Sequence, residues 1–353
     1  MGRVRPFLIA DIPGVVALRR RAFMESSHRH DQSLAEYFER IFFANPWRGG
    51  ELHSLVHTED TGRITGFLGV VPRRALFEGV PIAAAVCTQF MVDPEARGLA
   101  GVQLVRRLLE GDQELTYADL SNDTSRRIWE GLGGSVSPIQ SLTWTQPIRA
   151  SRFRAGESAR GLAGRALNFA ARPAFAIVDS LTARFEGPRG LESIPLTPEL
   201  VASHAGRLLG RVALHPAYDP RSTRWLLDQL ELRREWGVLR GMALGDSAGE
   251  IAGWFLYYMN RGGTGEVVQL VAGPGLHAKV LQSLFAEAWR NGLVAVSGRG
   301  DPQLLPCLDP EKSRISRSGT WFLAHARRPE IMSAVERGDA FFSRLEGEWW
   351  MSF

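Results

Sequence analysis

Apolar positions in the first 150 residues change period several times. Short apolar runs read as strands: RPF around Val4–Phe7, HSLVH at 53–57, RITGFLGVV at 63–71, AAVCTQFMV at 84–92, LTYADL at 115–120 and SLTWTQPI at 141–148. Three- and four-residue spacing reads as helices between them. Asp11 stands where a cap is wanted before the stripe Ile12, Val15, Leu18 and Ala22. A second helix spans about Leu34 to Phe43, a third carries Val102, Val105, Leu108 and Leu109 inward, and a fourth is SRRIWEGLG. Glu78-Gly79 marks a hairpin turn.

The pattern lapses over 149–200, an Ala- and Arg-rich helical stretch interrupted at Pro173, and returns afterwards. WGVLRGMAL, IAGWFLYYMN and EVVQLVAG read as strands; a helix follows with Leu281, Leu284, Phe285 and Ala288 inward; LVAVSGRG and GTWFLAHAR are the closing strands. The order repeats that of the first half, an internal duplication of architecture. The expected division is a first domain over 1–148, a helical linker over 149–200, a second domain over 201–330 and a helical tail over 331–353 that ends in GEWWMSF.

Composition narrows the function. A length of 353 residues suits about two domains. A net charge of +4 is thin, permits an anionic ligand, and lacks the clustered basic face of a nucleic-acid binder. Cys87 and Cys307 have neither metal-ligand spacing nor a disulfide pattern, so a reducing, cytoplasmic compartment is expected, with no bound metal. His28-Arg29-His30-Asp31 is not a recognised metal site. No apolar run is long enough to span a membrane. Nothing here fixes an oligomeric state, and a homo-oligomer is permitted.

The chemistry starts at VDPEARGLAG, residues 92–101. A small-residue turn between a strand and a helix leaves backbone N–H groups aimed at an anion, and the helix dipole adds favourable potential. Arg97 can add charge-assisted hydrogen bonds to phosphate. With the opening strand, the Asp11-Ile12 helix, the meander of strands and the later NDTSRRIWEGLGG, this run resembles the GNAT superfamily of acyl-CoA-dependent N-acyltransferases. The resemblance implies an α/β fold of two GNAT-like domains, each a mixed, largely antiparallel twisted sheet flanked by helices. It also implies a pyrophosphate loop on Arg97, Gly98, Leu99, Ala100 and Gly101. Gly98 and Ala100 match the last two positions of the family's loop motif, and Glu95 falls where Gln or Arg is usual. The strand residues Phe90, Met91 and Val92 would line the pantetheine and thioester, with a backbone N–H near Met91 facing the oxyanion.

The second motif places Asn122, Ser125, Ile128, Trp129 and Gly133 in the family's register. Trp129 stands where many members carry the tyrosine that protonates the departing thiolate. An indole N–H is no general acid near neutral pH, so Trp129 is expected to pack on pantetheine, and Ser125, a water or no group at all to serve the thiolate. Asp119 is a candidate base. So is the chain terminus at Phe353, by resemblance to the tandem Eis-like enzymes, although an aromatic tail packed on the second core is the commoner arrangement. Ala272-Gly273-Pro274-Gly275, the matching turn of the second half, has no nearby arginine and is expected to have lost CoA binding. The resulting expectation is an enzyme that transfers acetyl or another short acyl group from CoA, as co-substrate, to a small primary amine. The competing expectation is a non-catalytic acyl-CoA-binding module.

Overall fold

A computed structural model describes residues 2–23, 31–48, 50, 52–96, 99–158, 175, 179, 185–317 and 319–351. The chain folds into two compact units. One comprises 1–141, 212–225 and 319–353; the other comprises 142–211 and 226–318.

The first unit opens with β1 (Arg3–Pro6), a single 3-10 turn, α1 (Ile12–Phe23) and α2 (Asp31–Phe42). Asp11 accepts from the Leu8 N–H at 2.9 Å and from the Arg5 guanidinium, so its carboxylate fixes the turn ahead of α1. Next come β2 (Leu55–Thr58), β3 (Ile64–Phe77), β4 (Val80–Val92), α3 (Leu99–Leu109), β5 (Leu115–Ser121), α4 (Asp123–Gly131) and β6 (Ser135–Ser137). The hairpin between β3 and β4 turns on Glu78 and Gly79, whose φ values of 50° and 77° fit the left-handed geometry of a two-residue turn. On one face of the sheet, α3 buries Leu104, Val105, Leu108 and Leu109 against Leu68, Val70, Ala85, Cys87 and Ala118. Val102, expected inward, is only half-buried. Phe7, Phe38, Phe42 and Phe67 interlock as edge and stacked pairs on α2 and the strands it covers.

The strand β7 (Leu142–Pro147) does not close this sheet as expected. It pairs with strands of the other unit's sheet. After β7 the chain forms α5 (Ala150–Ser158), β8 (Glu192–Pro195), α6 (Pro198–Leu209), β9 (Leu214–Pro216), α7 (Pro220–Glu231), β10 (Val238–Gly245), β11 (Ile251–Met259), β12 (Thr264–Ala272), α8 (His277–Arg290), β13 (Ala295–Arg299), β14 (Arg314–Arg317), β15 (Trp321–Ala326) and α9 (Pro329–Glu336). The first sheet runs β1-β2-β3-β4-β5-β15-β6, with β9 on the far end of β3; the second runs β14-β7-β13-β12-β11-β10-β8. Both are antiparallel except for one parallel pair each, β4 with β5 and β12 with β13.

The two sheets repeat one plan, and they have traded a strand. The place beside β5 is filled by β15, from the end of the chain; the place beside β13 is filled by β7, from the first half. The contiguous division at 148 and 201 is therefore corrected to the interleaved one above. The stretch expected as a helical linker contains β8, and Pro173 lies outside the described residues. The tail is also corrected: α9 ends at Glu336, and among the described residues of the rest only Trp349–Met351 is helical, as a single 3-10 turn. Strand pairing is a contest among sequences of the same period and similar composition, so hydropathy pattern alone does not say which of two look-alike sheets a strand joins. The second unit's core gathers Trp144, Phe255, Tyr257, Leu284 and Phe285, and Trp254 and Tyr258 are also buried. No helix among the described residues is long and apolar enough to cross a membrane.

Candidate active site

The parallel pair in the first sheet parts company soon after it forms. β4 and β5 are matched only at Ala84–Leu115, Ala85–Thr116 and Val86–Tyr117. Beyond Val86, β4 stays paired with β3 as far as Val92, while β5 follows β15. A bulge explains the divergence. Between Thr88 and Met91 the β4 strand carries one residue more than β3, and Gln89 takes a φ of 51° to absorb it. Bulges bend a strand and increase its twist. The result is a wedge whose walls are Cys87, Thr88 and Phe90 on one strand and Ala118, Leu120 and Ser121 on the other, enclosing a cavity of about 110 Å³. Asn122, Ser125 and Trp129 close one side; Glu348 closes another.

Four of the residues picked out by sequence, Phe90, Asn122, Ser125 and Trp129, line the wedge. Asn122 is the N-cap of α4, its Oδ1 accepting from the Ser125 N–H at 2.9 Å, and both residues line the cavity. Replacing Asn122 by alanine should cost about 1 kcal/mol through the lost cap, read as a lower midpoint in urea. Trp129 is buried in the core and lines the wedge. Phe90 faces the cavity, Met91 is buried and Val92 half-buried. Ala100 and Gly101 are buried on α3, and a Cβ at Gly101 would lie 3.2 Å from the Phe90 ring; Leu99 is exposed. Asp93 holds the turn into α3. Burial raises its pKa, but the Arg21 hydrogen bond at 2.7 Å, the Glu95 N–H and Arg63 outweigh that and hold it below the usual range. Arg97, Gly98, Phe353 and the segment 28–30 lie outside the described residues.

Asp119 is buried and its Oδ1 accepts from the Glu348 N–H at 2.6 Å, which anchors the tail. The tail itself packs on the first unit's sheet, where the second unit's core had been expected. Tyr117 donates to the Glu346 carbonyl at 3.0 Å, Tyr37 and Gln89 both donate to the Met351 carbonyl, and Trp350 donates to the Leu345 carbonyl. Phe341, Phe342, Leu345, Trp350 and Met351 are buried. The tail also passes so close to β5 that a Cβ on Gly347 would collide with the Asp119 carboxylate.

This docking delivers a group that sequence reading missed. Glu348 accepts from the Leu120 N–H at 3.0 Å and from the Thr88 hydroxyl, bridging the two lips of the wedge. Burial first, then the neighbouring Asp119 charge, push its carboxyl up to about 8. Nothing in GEWWMSF marks Glu348 as different from any other surface glutamate. Because its folded pKa stands above the ordinary 4.5, the native state keeps a proton that the unfolded chain releases, and stability falls as pH rises from about 4.5 to about 8. Glu348→Gln should therefore melt close to wild type at pH 4 and above it at pH 9. The same difference at both pH values would show that Glu348 ionises normally.

No family model matches the sequence, and no curated protein matches it. Solved structures do. A GCN5-related N-acetyltransferase from Anabaena variabilis superposes with a TM-score of 0.61 at 14% identity, covering 93% of this chain and 74% of that one. A conserved protein of unknown function from Enterococcus faecalis, described as a probable N-acyltransferase, gives 0.59 at 12% identity over 92% and 73%. Saccharomyces cerevisiae N-myristoyltransferase with bound myristoyl-CoA gives 0.51 at 12% identity over 96% and 83%. Both sheets, the parted parallel pair and these superpositions agree that the chain has the fold of the GCN5-related N-acetyltransferases, laid out twice.

Proposed function

We propose that this protein transfers a short acyl group, acetyl foremost, from acyl-CoA to a small primary amine. The reading rests on one observation: a wedge between parted parallel strands with a raised carboxyl, Glu348, in its wall. The β4 edge from Cys87 to Val92 has no strand partner on the β5 side among the described residues, so its backbone is free to meet a pantetheine amide. The cavity of about 110 Å³ suits an acyl group of a few carbons.

The amine nitrogen bonds to the thioester carbon and the carbon–sulfur bond breaks; of the two protons the ammonium loses, one is carried to the sulfur and the other leaves to solvent. An ammonium near pKa 10.4 gives up its proton to an ordinary carboxylate near 4.3 only at a cost of about 8 kcal/mol. With the acceptor at about 8 the cost drops to about 3 kcal/mol. The resulting carboxylic acid is also well matched to a departing thiolate near 8.5. Glu348 thus takes the proton and returns it, the step that Trp129 is unable to perform.

Thiol release from acetyl-CoA across a panel of primary amines, beside calorimetric binding of CoA, tests the reading. Turnover on at least one amine is expected; binding with no turnover on any would establish the non-catalytic module instead. Among acyl donors, kcat/KM should fall at least tenfold from acetyl- to octanoyl-CoA, and a rise with chain length would show that the wedge does not hold the acyl end.

A further inference from the structure

A second cavity of the first unit shares no lining residue with the wedge. It lies at the end of the β1–β2 pair, bordered by the 3-10 turn after β1 and by the chain that leaves α2. It encloses about 340 Å³, against about 110 Å³ for the wedge. That volume is in the range of small-molecule sites, which are mostly apolar with a few polar groups that orient the ligand.

The depth of the cavity is apolar. Phe7, Phe42 and Val70 are buried in its lining. The buried polar side chains there are already engaged. Ser54 Oγ accepts from the Val70 N–H at 2.9 Å and donates to the Val70 carbonyl at 3.2 Å. Asn45 donates to the Ile41 carbonyl at 3.0 Å and accepts from the Trp47 N–H at 3.2 Å. Polar groups paired in this way ask little of a ligand, and a hydroxyl brought in among them would go unmatched.

The rim differs. Leu8 and Ile9 are 55% and 52% exposed, two adjacent apolar side chains left in water at the edge of a cavity. Arg48 and His53 are exposed in the same lining, and no acidic side chain lines the cavity among the described residues. Arg48 lies 5.0 Å from the centre of the Phe43 ring, and its Nη1 donates to the Phe43 carbonyl at 3.1 Å. These contacts steady the guanidinium and use few of its five N–H donors. The charge at the mouth is therefore positive and uncompensated within the lining, and its planar fork matches a carboxylate.

We propose that this cavity binds a straight-chain carboxylate of medium length, with the chain in the apolar depth and the head on the Arg48 fork beside the His53 N–H. The satisfied floor argues against a sugar or a nucleoside, whose hydroxyls would lose water without finding partners. An enclosed volume suits one chain better than a lipid surface. The inference stands apart from the acyl-transfer reading, since the two cavities have no lining residue in common.

Calorimetric titration of the full-length protein with octanoate, with butanoate and with 1-octanol tests this. Octanoate is expected to bind at least tenfold tighter than butanoate, because four methylene groups are lost from the apolar depth. Arg48→Gln should weaken octanoate about threefold to tenfold and leave 1-octanol unchanged. Ile9→Ser should weaken both severalfold. Both substituted residues are exposed, so the variants should fold as wild type does. No detectable binding of octanoate, equal binding of octanoate and butanoate, or wild-type affinity for octanoate in either variant overturns the proposal. So does co-sedimentation with phosphatidylglycerol vesicles that Ile9→Ser abolishes while octanoate goes unbound, which would make this rim a membrane contact.

Discussion

Glu348→Gln is expected to lower kcat/KM by about 10²–10⁴, the range for loss of a general acid–base group, while CoA binding stays within about twofold. Glutamine keeps the oxygen that accepts from the Leu120 N–H, so the wedge should keep its shape. What it loses is the proton. In wild type the rate should climb with pH through about 8, because the transfer begins from the carboxylate and burial holds that form back until then. The residual activity of Glu348→Gln should lack that limb. A variant with wild-type turnover, or one that retains the limb near 8, would leave Glu348 as a structural tie between Thr88 and Leu120.

Gly347→Ala should cost nearly as much by a different route. The backbone at Gly347 runs against both oxygens of Asp119, and the added methyl fits only if the tail lifts or the Asp119 carboxylate turns away, either of which breaks its bond to the Glu348 N–H. Lifting breaks the Glu348 N–H bond to Asp119 and withdraws the neighbouring carboxyl from the wedge. Activity is expected to fall by about 10²-fold or more, with a stability loss of about 1–3 kcal/mol for the overpacking. The cause can be isolated with a double-mutant cycle. Asp119→Ala removes the obstruction, so in that background Gly347→Ala should do little further harm. Full additivity of the two changes would mean that they do not meet.

Both results would place the centre of the chemistry in a segment whose sequence advertises something else. GEWWMSF reads as an aromatic tail looking for a core, and that reading is half right: Trp350 and Met351 are buried. The glutamate two residues before Trp350 goes wherever that burial takes it. Hydropathy reports that a side chain will be buried; it does not report against which of two similar sheets. Asp119 shows the converse. A carboxylate near the end of a strand, three residues ahead of the Asn122 cap, shows nothing in sequence of the tail N–H that it holds.

Local signals determined a good deal. The alternation of apolar runs set β1 to β5, the Glu78-Gly79 pair set the hairpin, and VDPEARGLAG with NDTSRRIWEGLGG pointed to the right fold, laid out twice. These are effects of neighbours in sequence, and a sequence records its neighbours. The tertiary structure alone decided that β7 and β15 exchange sheets, that Gln89 bulges and parts β4 from β5, that Glu348 bridges the opening, and that Arg73 is buried against Trp47. Each of these is settled by the free energy of contacts between residues far apart in the chain, where two pairings of equal hydrophobic pattern differ only in the fit of particular side chains.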